Sequence, residues 1–486
     1  MRRPALRLLM SLLVLSWLAG LGAQTAHAEA AASLVPVGSD SLGARGLNAA
    51  LAIADHCAFV GSRGSGAVEI VNISDPYQPV TAGQIPGLGL STARELRAVA
   101  DQRLLIVMTY ALAAGGTNRF DFYRWDTDCT GAAKVGTYNF GARPPHEFYL
   151  WHLGTRTLLF TTMFGAGNPA LQVIDASDPV HPSLSGGWDA PVGELHSISL
   201  SADGTRAYLA LWRGGLLVAD AADFTSFRPN PTLRLITPSA SAIPAPPGGN
   251  VHSAVQIPGR NLVVLTDERY QPACPYGPAR LIDISDAAKP RLVSVMSAPE
   301  NSAAVCAQSA RNTYTSHNPT LTPDLALITW YASGIQIFDT ADPANPVRLA
   351  EFRAQGQLPG AIDSQLGGLP TTMTWSYPII RDGLIYVADI NQGLFVLRYQ
   401  GPHQAEVEGL AFSEGNSSLT ANLPVPTPPT AAAVSPASSP VVAAGRAAQG
   451  PRAAGISFWP VIVAAVGFLL VGLGGLLFLR RARTGC

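Results

Sequence analysis

Short apolar and β-branched runs recur along the chain between turns rich in Pro, Gly and Asp, a pattern that predicts β-strands. One phrase returns four times, as VEIVNISDPYQPV from Val68, LQVIDASDPVHPSL from Leu171, ARLIDISDAAKPRLV from Ala279 and IQIFDTADPANPVRL from Ile335. Shorter copies begin at Leu216 and Leu394. Each phrase predicts a buried strand that ends in a reversal, because Asp side chains cap turn amides and Pro lacks the donor that a continuing ladder needs.

A second pair of strand-like runs precedes each phrase, as in HSISLSADGTRAYLAL from His196. Four strands in each unit of about 50 residues are typical of propeller blades. Seven units begin near Leu47, Thr92, Pro145, Glu194, Asn250, Tyr314 and Met373. We therefore predict an all-β, seven-bladed β-propeller. An open pair of β-sandwiches is the structural alternative, but it explains the repetition less well.

The predicted ring also has a means of closing. The last unit stops after LFVLRY without an outer strand, and SLVPVGSD from Ser33 resembles a lone outer strand. If the N-terminal segment joins the last blade, no sheet edge is left exposed. The second unit carries FDFYRW from Phe120 in place of the recurring phrase.

The phrases resemble the LVIVD repeats of secreted and surface bacterial proteins, a family that is expected to fold as β-propellers. The resemblance covers about Leu47 to Tyr399 and is strongest in IQIFDTADPANPV. It implies the propeller fold and a location outside the cytoplasm, and it implies no settled activity. Unit one departs by carrying Asn72 where other units have Asp, and unit five lacks the first Pro of the phrase.

The two chain ends predict export and a membrane anchor. Residues 1–28 combine early Arg residues, an apolar run and the triplet Ala26-His27-Ala28, which is typical of a cleaved signal peptide; an uncleaved N-terminal anchor is the alternative. Residues 456–479 carry no charge and reach about 36 Å as a helix, enough to span a bilayer. Arg residues follow in a cytoplasmic tail, residues 480–486, which places the propeller outside. A removed lipid-anchor signal is the alternative to this single-pass helix.

The propeller is predicted over residues 31–411, and a disordered stalk rich in Pro, Ala and Ser over residues 412–455. Charged residues make up 13% of the chain and the formal net charge is -1, so nothing suggests nucleic acid as a partner. Export permits disulfides. Cys274 and Cys306 are the predicted pair; Cys57 and Cys129 are a weaker one, since Cys57 lies in a strand-like run.

Four histidines open successive units in the same register, namely His146, His196, His252 and His317. The first strand of each blade lines the channel, so these imidazoles are expected in a ring at one mouth. Neutral imidazoles suit a transition metal, which is the candidate cofactor. The same alignment brings Asn48, Glu95 and Ser376 to the ring from the other units. The alternative is that each histidine only hydrogen-bonds the backbone and is repeated by duplication.

Polar and aromatic residues at the ends of second strands form a candidate ligand-binding layer with Glu95, namely Asp267, Glu268, Trp330 and Tyr331. Packing between blades is the structural alternative for these residues. No nucleophile elbow or H-E-x-x-H helix is present, so whether the protein is an enzyme stays open. The predicted function is that of a membrane-anchored module that binds a surface protein, peptide or glycan. The alternative is a metal-binding protein or metal-dependent enzyme that uses the four histidines.

Overall fold

The computed structural model describes residues 31–165, 167–270, 274–306, 312–355 and 373–419. The predicted signal peptide, most of the stalk, the transmembrane segment and the cytoplasmic tail lie outside these ranges. None of the helices within them has the length and apolar character needed to cross a bilayer.

The described strands through the second blade are β1 (Ser33–Asp40), β2 (Asn48–Ala54), β3 (Cys57–Ser62), β4 (Val68–Asn72), β5 (Val80–Ile85), β6 (Ser91–Val99), β7 (Leu104–Ala111), β8 (Arg119–Trp125) and β9 (Ala132–Asn139). The third and fourth blades contain β10 (Pro145–Leu153), β11 (Arg156–Met163), β12 (Leu171–Asp175), β13 (Ser183–Trp188), β14 (Leu195–Leu200), β15 (Arg206–Leu211), β16 (Gly215–Asp220) and β17 (Arg234–Leu235).

The remaining strands are β18 (Asn250–Gln256), β19 (Leu262–Glu268), β20 (Ala279–Asp283), β21 (Arg291–Met296), β22 (Pro319–Leu321), β23 (Leu325–Thr329), β24 (Ile335–Asp339), β25 (Val347–Phe352), β26 (Ile379–Arg381), β27 (Leu384–Asp389), β28 (Gly393–Gln400) and β29 (Phe412–Ser413). Short α-helices are α1 (Ala222–Thr225), α2 (Ala303–Cys306) and α3 (Gln404–Glu408).

These strands form seven antiparallel sheets within the described residues, and the predicted seven-bladed, all-β propeller is confirmed. Six sheets take four consecutive strands each, from β2–β5 to β22–β25. The seventh has the order β1-β28-β27-β26-β29, so the N-terminal strand closes the ring as its predicted outer strand. Ser33 pairs with Gln400 and Asp40 with Leu394 across this closure.

The recurring phrase makes the turn that its sequence predicts. In unit three, Asp175 Oδ1 accepts from the Ser177 amide at 2.9 Å, and Asp178 Oδ1 accepts from the Val180 amide at 3.0 Å. In unit one, Asn72 Oδ1 accepts from the Ser74 amide at 2.9 Å. Asn therefore serves where other units have Asp, because both side chains offer an acceptor oxygen two residues before the amide.

Apolar side chains fill the space between neighbouring blades. One cluster joins Val60 of β3 to Val396 of β28, and so seals the first blade against the last. Two disulfides add covalent links: the predicted pair Cys274–Cys306 is confirmed, and Cys57–Cys129, the weaker prediction, joins the first blade to the second.

The chain after the last blade turns into the central channel. β29 pairs with β26, and the Leu150 amide on β10 then donates to the Asn416 carbonyl at 3.1 Å. The Ser418 amide donates back to the Leu150 carbonyl at 2.9 Å. Glu414, Asn416 and Ser417 are buried. The composition of residues 412–419 predicts that they belong to the stalk, but they cross from blade seven to blade three. We call this segment the channel plug. Its polar side chains can be buried there because the channel is lined by polar groups.

Gly415 is the tightest point of this plug. A Cβ there would stand 1.8 Å from the carbonyl oxygen of Pro319, so Gly415→Ala must displace the plug or β22. We expect the free energy of unfolding to fall by about 1–3 kcal/mol. Urea denaturation of the full-length chain measures this, with Gly409→Ala as the control, since its Cβ meets only the Ala405 oxygen, at 3.1 Å. Equal stability of the two variants would contradict the tight fit.

Candidate functional site

Three of the four predicted histidines reach the channel through the same local irregularity. The register between the first and second strands shifts by one residue at His146, at His196 and at His252, so each lies in a β-bulge. His317 lies two residues before β22 begins, and its amide donates to the Thr329 carbonyl. A bulge residue is re-aimed relative to the regular alternation of a strand, which turns these imidazoles towards the axis.

Threonines near the ends of second strands fix the histidine backbones to the next blade. Each threonine hydroxyl accepts a hydrogen bond from the backbone amide of the residue after a channel-facing histidine. It donates a hydrogen bond to the backbone carbonyl of the equivalent residue in the next blade. Thr162 thus links the Glu147 amide, at 3.1 Å, to the His196 carbonyl, at 2.9 Å. Thr266 and Thr329 repeat the arrangement for the next blades. The sequence signal for this latch is the Thr that recurs in TTM, TDE and ITW, which we did not predict as part of the site.

The four imidazoles form a continuous arc. Ring centroids lie 4.2 Å apart between His146 and His196, 4.3 Å between His196 and His252, and 3.8 Å between His252 and His317. All four side chains are buried. The sequence prediction that these residues share one place in the fold agrees with this geometry.

Two carboxylates face the arc. Glu268 Oε1 lies 3.3 Å from His317 Nε2, and its Oε2 lies 3.7 Å from His252 Nε2 and 3.8 Å from His196 Nε2. Glu147 Oε1 lies 3.5 Å from His252 Nε2. The Tyr331 hydroxyl donates to Glu268 Oε1 and so holds this carboxylate in place.

The hydrogen-bond network assigns tautomers to two histidines. His317 Nδ1 lies 2.6 Å from the Trp375 carbonyl and must donate to it, so any lone pair of the neutral imidazole lies on Nε2. His252 Nδ1 lies 2.7 Å from Ser253 Oγ, whose own proton goes to Asn318 Oδ1 at 3.0 Å. His252 Nε2 is then an acceptor too. The Nε2 atoms of both histidines face carboxylate oxygens, and either a proton or a metal ion can lie between nitrogen and oxygen at such a contact.

Several buried atoms of this cluster have no hydrogen-bond partner among the described residues: His146 Nδ1, His196 Nδ1 and Nε2, His252 Nε2, Glu147 Oε1 and Glu268 Oε2. An unpartnered buried polar atom costs about 1–3 kcal/mol, so a concentration of them points to a missing ligand. Two overlapping sets bring candidate ligand atoms within 4.8 Å of one another, His146 with Glu147 and His196, and His196 with His252 and Glu268.

Burial sets the protonation of the cluster. It lowers the pKa of His196 to about 3, against the pull of Glu268, and with neighbouring imidazoles it holds the pKa of His146 and of His252 well below the ordinary value. Burial, followed by the charge of Glu95, raises the pKa of Glu147 to about 8. Against the effect of burial, His317 holds the pKa of Glu268 below its ordinary value. These three histidines are thus neutral near pH 7, the form that binds metals.

Aromatic side chains surround the histidines. Trp212 stacks on His196 with centroids 4.7 Å apart, and Phe164 and Trp375 approach His146 and His317 at 5.2 and 5.4 Å. Tyr270 packs on Trp212 at 5.6 Å. Phe164 and Tyr270 are 49% and 40% exposed, so the mouth has an apolar rim.

The remaining predicted site residues divide between the arc and the core. Glu268 and Tyr331 join the histidines, as described. Asp267 points away and pairs with Arg280 through two contacts of 2.7 Å. Trp330 packs between blades five and six, with its Nε1 donating to the Tyr314 carbonyl. Glu95 pairs with Arg97 at 3.2 Å.

The alignment of the other three units with the histidines needs a correction. In unit two the bulge residue is Arg94, and Glu95 lies one position farther along. In unit seven it is the Trp375 carbonyl, and not Ser376, that accepts the hydrogen bond from the Thr329 hydroxyl. Asn48 donates to the Asp389 carbonyl and takes no part in the arc. The β-bulge adds one residue to the strand, and spacing along the sequence does not reveal it.

A family model described as LVIVD repeat matches residues 165–190. This range contains β12 and β13 of the third blade, so the resemblance seen in the recurring phrase is confirmed there. No curated protein matches the chain in sequence.

Three solved structures illustrate the structural similarity. The C-terminal WD40 domain of Sif2 is 10% identical with a TM-score of 0.47, and the alignment covers 76% of this chain and 99% of that one. Raptor from Chaetomium thermophilum is 12% identical with a TM-score of 0.48, covering 76% of this chain and only 29% of Raptor. A protein from Lactobacillus plantarum is 11% identical with a TM-score of 0.46, covering 63% and 85%.

Proposed function

We propose that this seven-bladed propeller, which carries an LVIVD repeat, binds a transition-metal ion among His146, His196, His252 and His317. The observation that carries the proposal is the group of buried imidazole and carboxylate atoms on His146, His196, His252, Glu147 and Glu268 that have no hydrogen-bond partner among the described residues. A metal ion supplies the partners that these buried atoms lack. Imidazole with carboxylate suits zinc, copper, iron or nickel.

Outer contacts support the same interpretation. Metal-binding histidines commonly donate their second nitrogen to a carbonyl or hydroxyl, which fixes the ring and its tautomer. His317 does so to the Trp375 carbonyl and His252 to the Ser253 hydroxyl. Tyr331 orients Glu268 in the same manner. The cluster thus has oriented ligands and not only a set of suitable side chains.

Elemental analysis of the purified full-length chain tests the proposal. We expect about one transition-metal ion per chain, and less than about a tenth of that when all four histidines are changed to Ala. His181→Ala is the matched control, because the His181 side chain is 81% exposed and lies in a turn. His252→Gln keeps a polar side chain of similar size should the fourfold variant fold poorly. Substoichiometric metal in the native chain, unchanged in the variants, would falsify the proposal.

A second candidate is a binding module for a surface protein, peptide or glycan at the same mouth. The exposed apolar rim of Phe164 and Tyr270 favours it, since a rigid ring presents such a face without any catalysis. The two candidates separate in one experiment. If the native chain contains no metal and Phe164→Ser abolishes binding to a peptide or glycan array, the second account replaces the first.

We also propose that the ring is held outside the cell membrane by residues 456–479. The signal-like N-terminus, the apolar segment and the Arg residues after it support this orientation. Two disulfides are in keeping with an oxidising compartment. Protease digestion of intact cells tests it: an antibody to the C-terminal tail should detect a protected fragment after the propeller has been removed.

A further inference from the structure

Arg94 occupies the bulge position of the second blade, beside the histidine arc. Its side chain is buried, and Nη2 lies 3.4 Å from His146 Nε2. Arg94 Nε has no hydrogen-bond partner among the described residues. The nearby Glu95 is engaged by Arg97. A buried guanidinium without a paired anion is costly, so its retention at this place requires a reason.

Aromatic rings hold the guanidinium in position. Its central carbon lies 4.9 Å from the ring centroid of Trp375 and 5.8 Å from that of Tyr110. Stacking of this kind orients a guanidinium without using its N–H donors. Arg94 therefore presents an oriented guanidinium, with Nε unpartnered among the described residues, at the edge of the candidate metal centre.

The balance of charges around the candidate metal centre indicates the charge of a ligand that the Arg94 guanidinium could bind. In the part of the chain that the structure describes, Arg94, Glu147 and Glu268 are the charged side chains with contacts to the four histidines of the arc. When a divalent ion displaces the proton that Glu147 holds near pH 7, the ion, the neutral imidazoles, the two carboxylates and one guanidinium leave one net positive charge in a buried place. One singly charged anion would restore neutrality.

We propose that a small carboxylate binds between the metal ion and Arg94, an inference that rests on the proposed function. The planar pair of carboxylate oxygens matches the planar fork of guanidinium donors. An anion that accepts from Arg94 also replaces His146 Nε2 as acceptor and frees that lone pair for the metal. Anion and metal thus bind cooperatively, and Arg94 is the specificity-determining residue for the anion.

The test uses full-length protein loaded with Co²⁺, whose visible spectrum reports its ligands, with acetate and inorganic phosphate as probes. We expect acetate to shift the spectrum to saturation and phosphate to have little effect. In Arg94→Gln, Co²⁺ should bind without acetate at least as tightly as in the native chain, while the acetate Kd rises about tenfold or more. Arg94→Lys should recover part of the acetate affinity.

Arg63→Gln is the matched control, because its guanidinium carbon lies at the same distance, 4.9 Å, from the ring centroid of Trp375. An unchanged acetate Kd in Arg94→Gln, or tighter binding of phosphate than of acetate, overturns the inference. So does a cobalt spectrum that acetate does not alter. Failure to bind Co²⁺ at all defeats the proposed function itself, and the two failures are therefore distinguishable.

Discussion

Replacing Asp267 with Asn should lower the free energy of unfolding by about 3–5 kcal/mol, because it leaves the Arg280 guanidinium charged and unpaired in the interior. Both side chains are buried, and the two contacts between them measure 2.7 Å each. Urea denaturation followed by circular dichroism measures the loss. The metal content of the folded fraction should remain that of the native chain, since Asp267 faces away from the histidines.

Asp283→Asn is the matched control for this change in the same blade. Asp283 pairs with Arg291, whose side chain is 72% exposed, and Asn preserves the turn cap as Asn72 does in unit one. An exposed pair contributes about 1 kcal/mol or less. If Asp267→Asn is no more destabilising than Asp283→Asn, the buried pair is not the stabilising element described above.

Glu268→Gln should weaken metal binding and leave the free energy of unfolding nearly unchanged, which is the reverse of what we expect for Asp267→Asn. The two residues are neighbours on β19. We expect metal affinity to fall at least about a hundredfold, because the neutral amide cannot supply the charge that the cation requires. Stability in the presence of a chelator should hardly change, since Gln keeps an acceptor for the Tyr331 hydroxyl. Competition with a coloured chelator measures the affinity.

Tyr331→Phe should have a smaller effect on metal affinity than Glu268→Gln. It removes the hydroxyl that orients the carboxylate and should weaken metal binding by about tenfold. Glu351→Gln on the outer strand β25, where the carboxylate pairs with Arg348 at 2.9 Å, should change nothing. Native affinity in Glu268→Gln would exclude this carboxylate from the site.

The blades, the closure of the ring and the meeting of the four histidines can all be predicted from the sequence. The recurring phrase and its turn residues predict the blades, because Asp and Pro act locally, and the missing outer strand of the last unit predicts ring closure. The register of His146, His196, His252 and His317 likewise predicts their meeting, since equivalent positions of repeats share one place in a ring.

Other features depend on contacts that no local pattern reveals. Asp267 and Glu268 are neighbours in sequence, and only the pleat of β19 decides that one meets Arg280 and the other the histidines. Arg94 enters the arc through a one-residue bulge. The channel plug resembles a polar linker by composition, and its order arises from partners hundreds of residues earlier, such as Leu150.

The strand that closes the ring has a consequence for the order of assembly. Ser33 and Gln400 are 367 residues apart, yet they pair across β1 and β28. Contacts between such distant residues carry a large loop-closure cost and form late in folding. A chain that lacks either end leaves β28 or β1 as an unpaired edge prone to association with other strands. Quality control of this protein therefore depends on its first and last strands meeting, and truncation at either end should yield aggregates instead of a smaller ring.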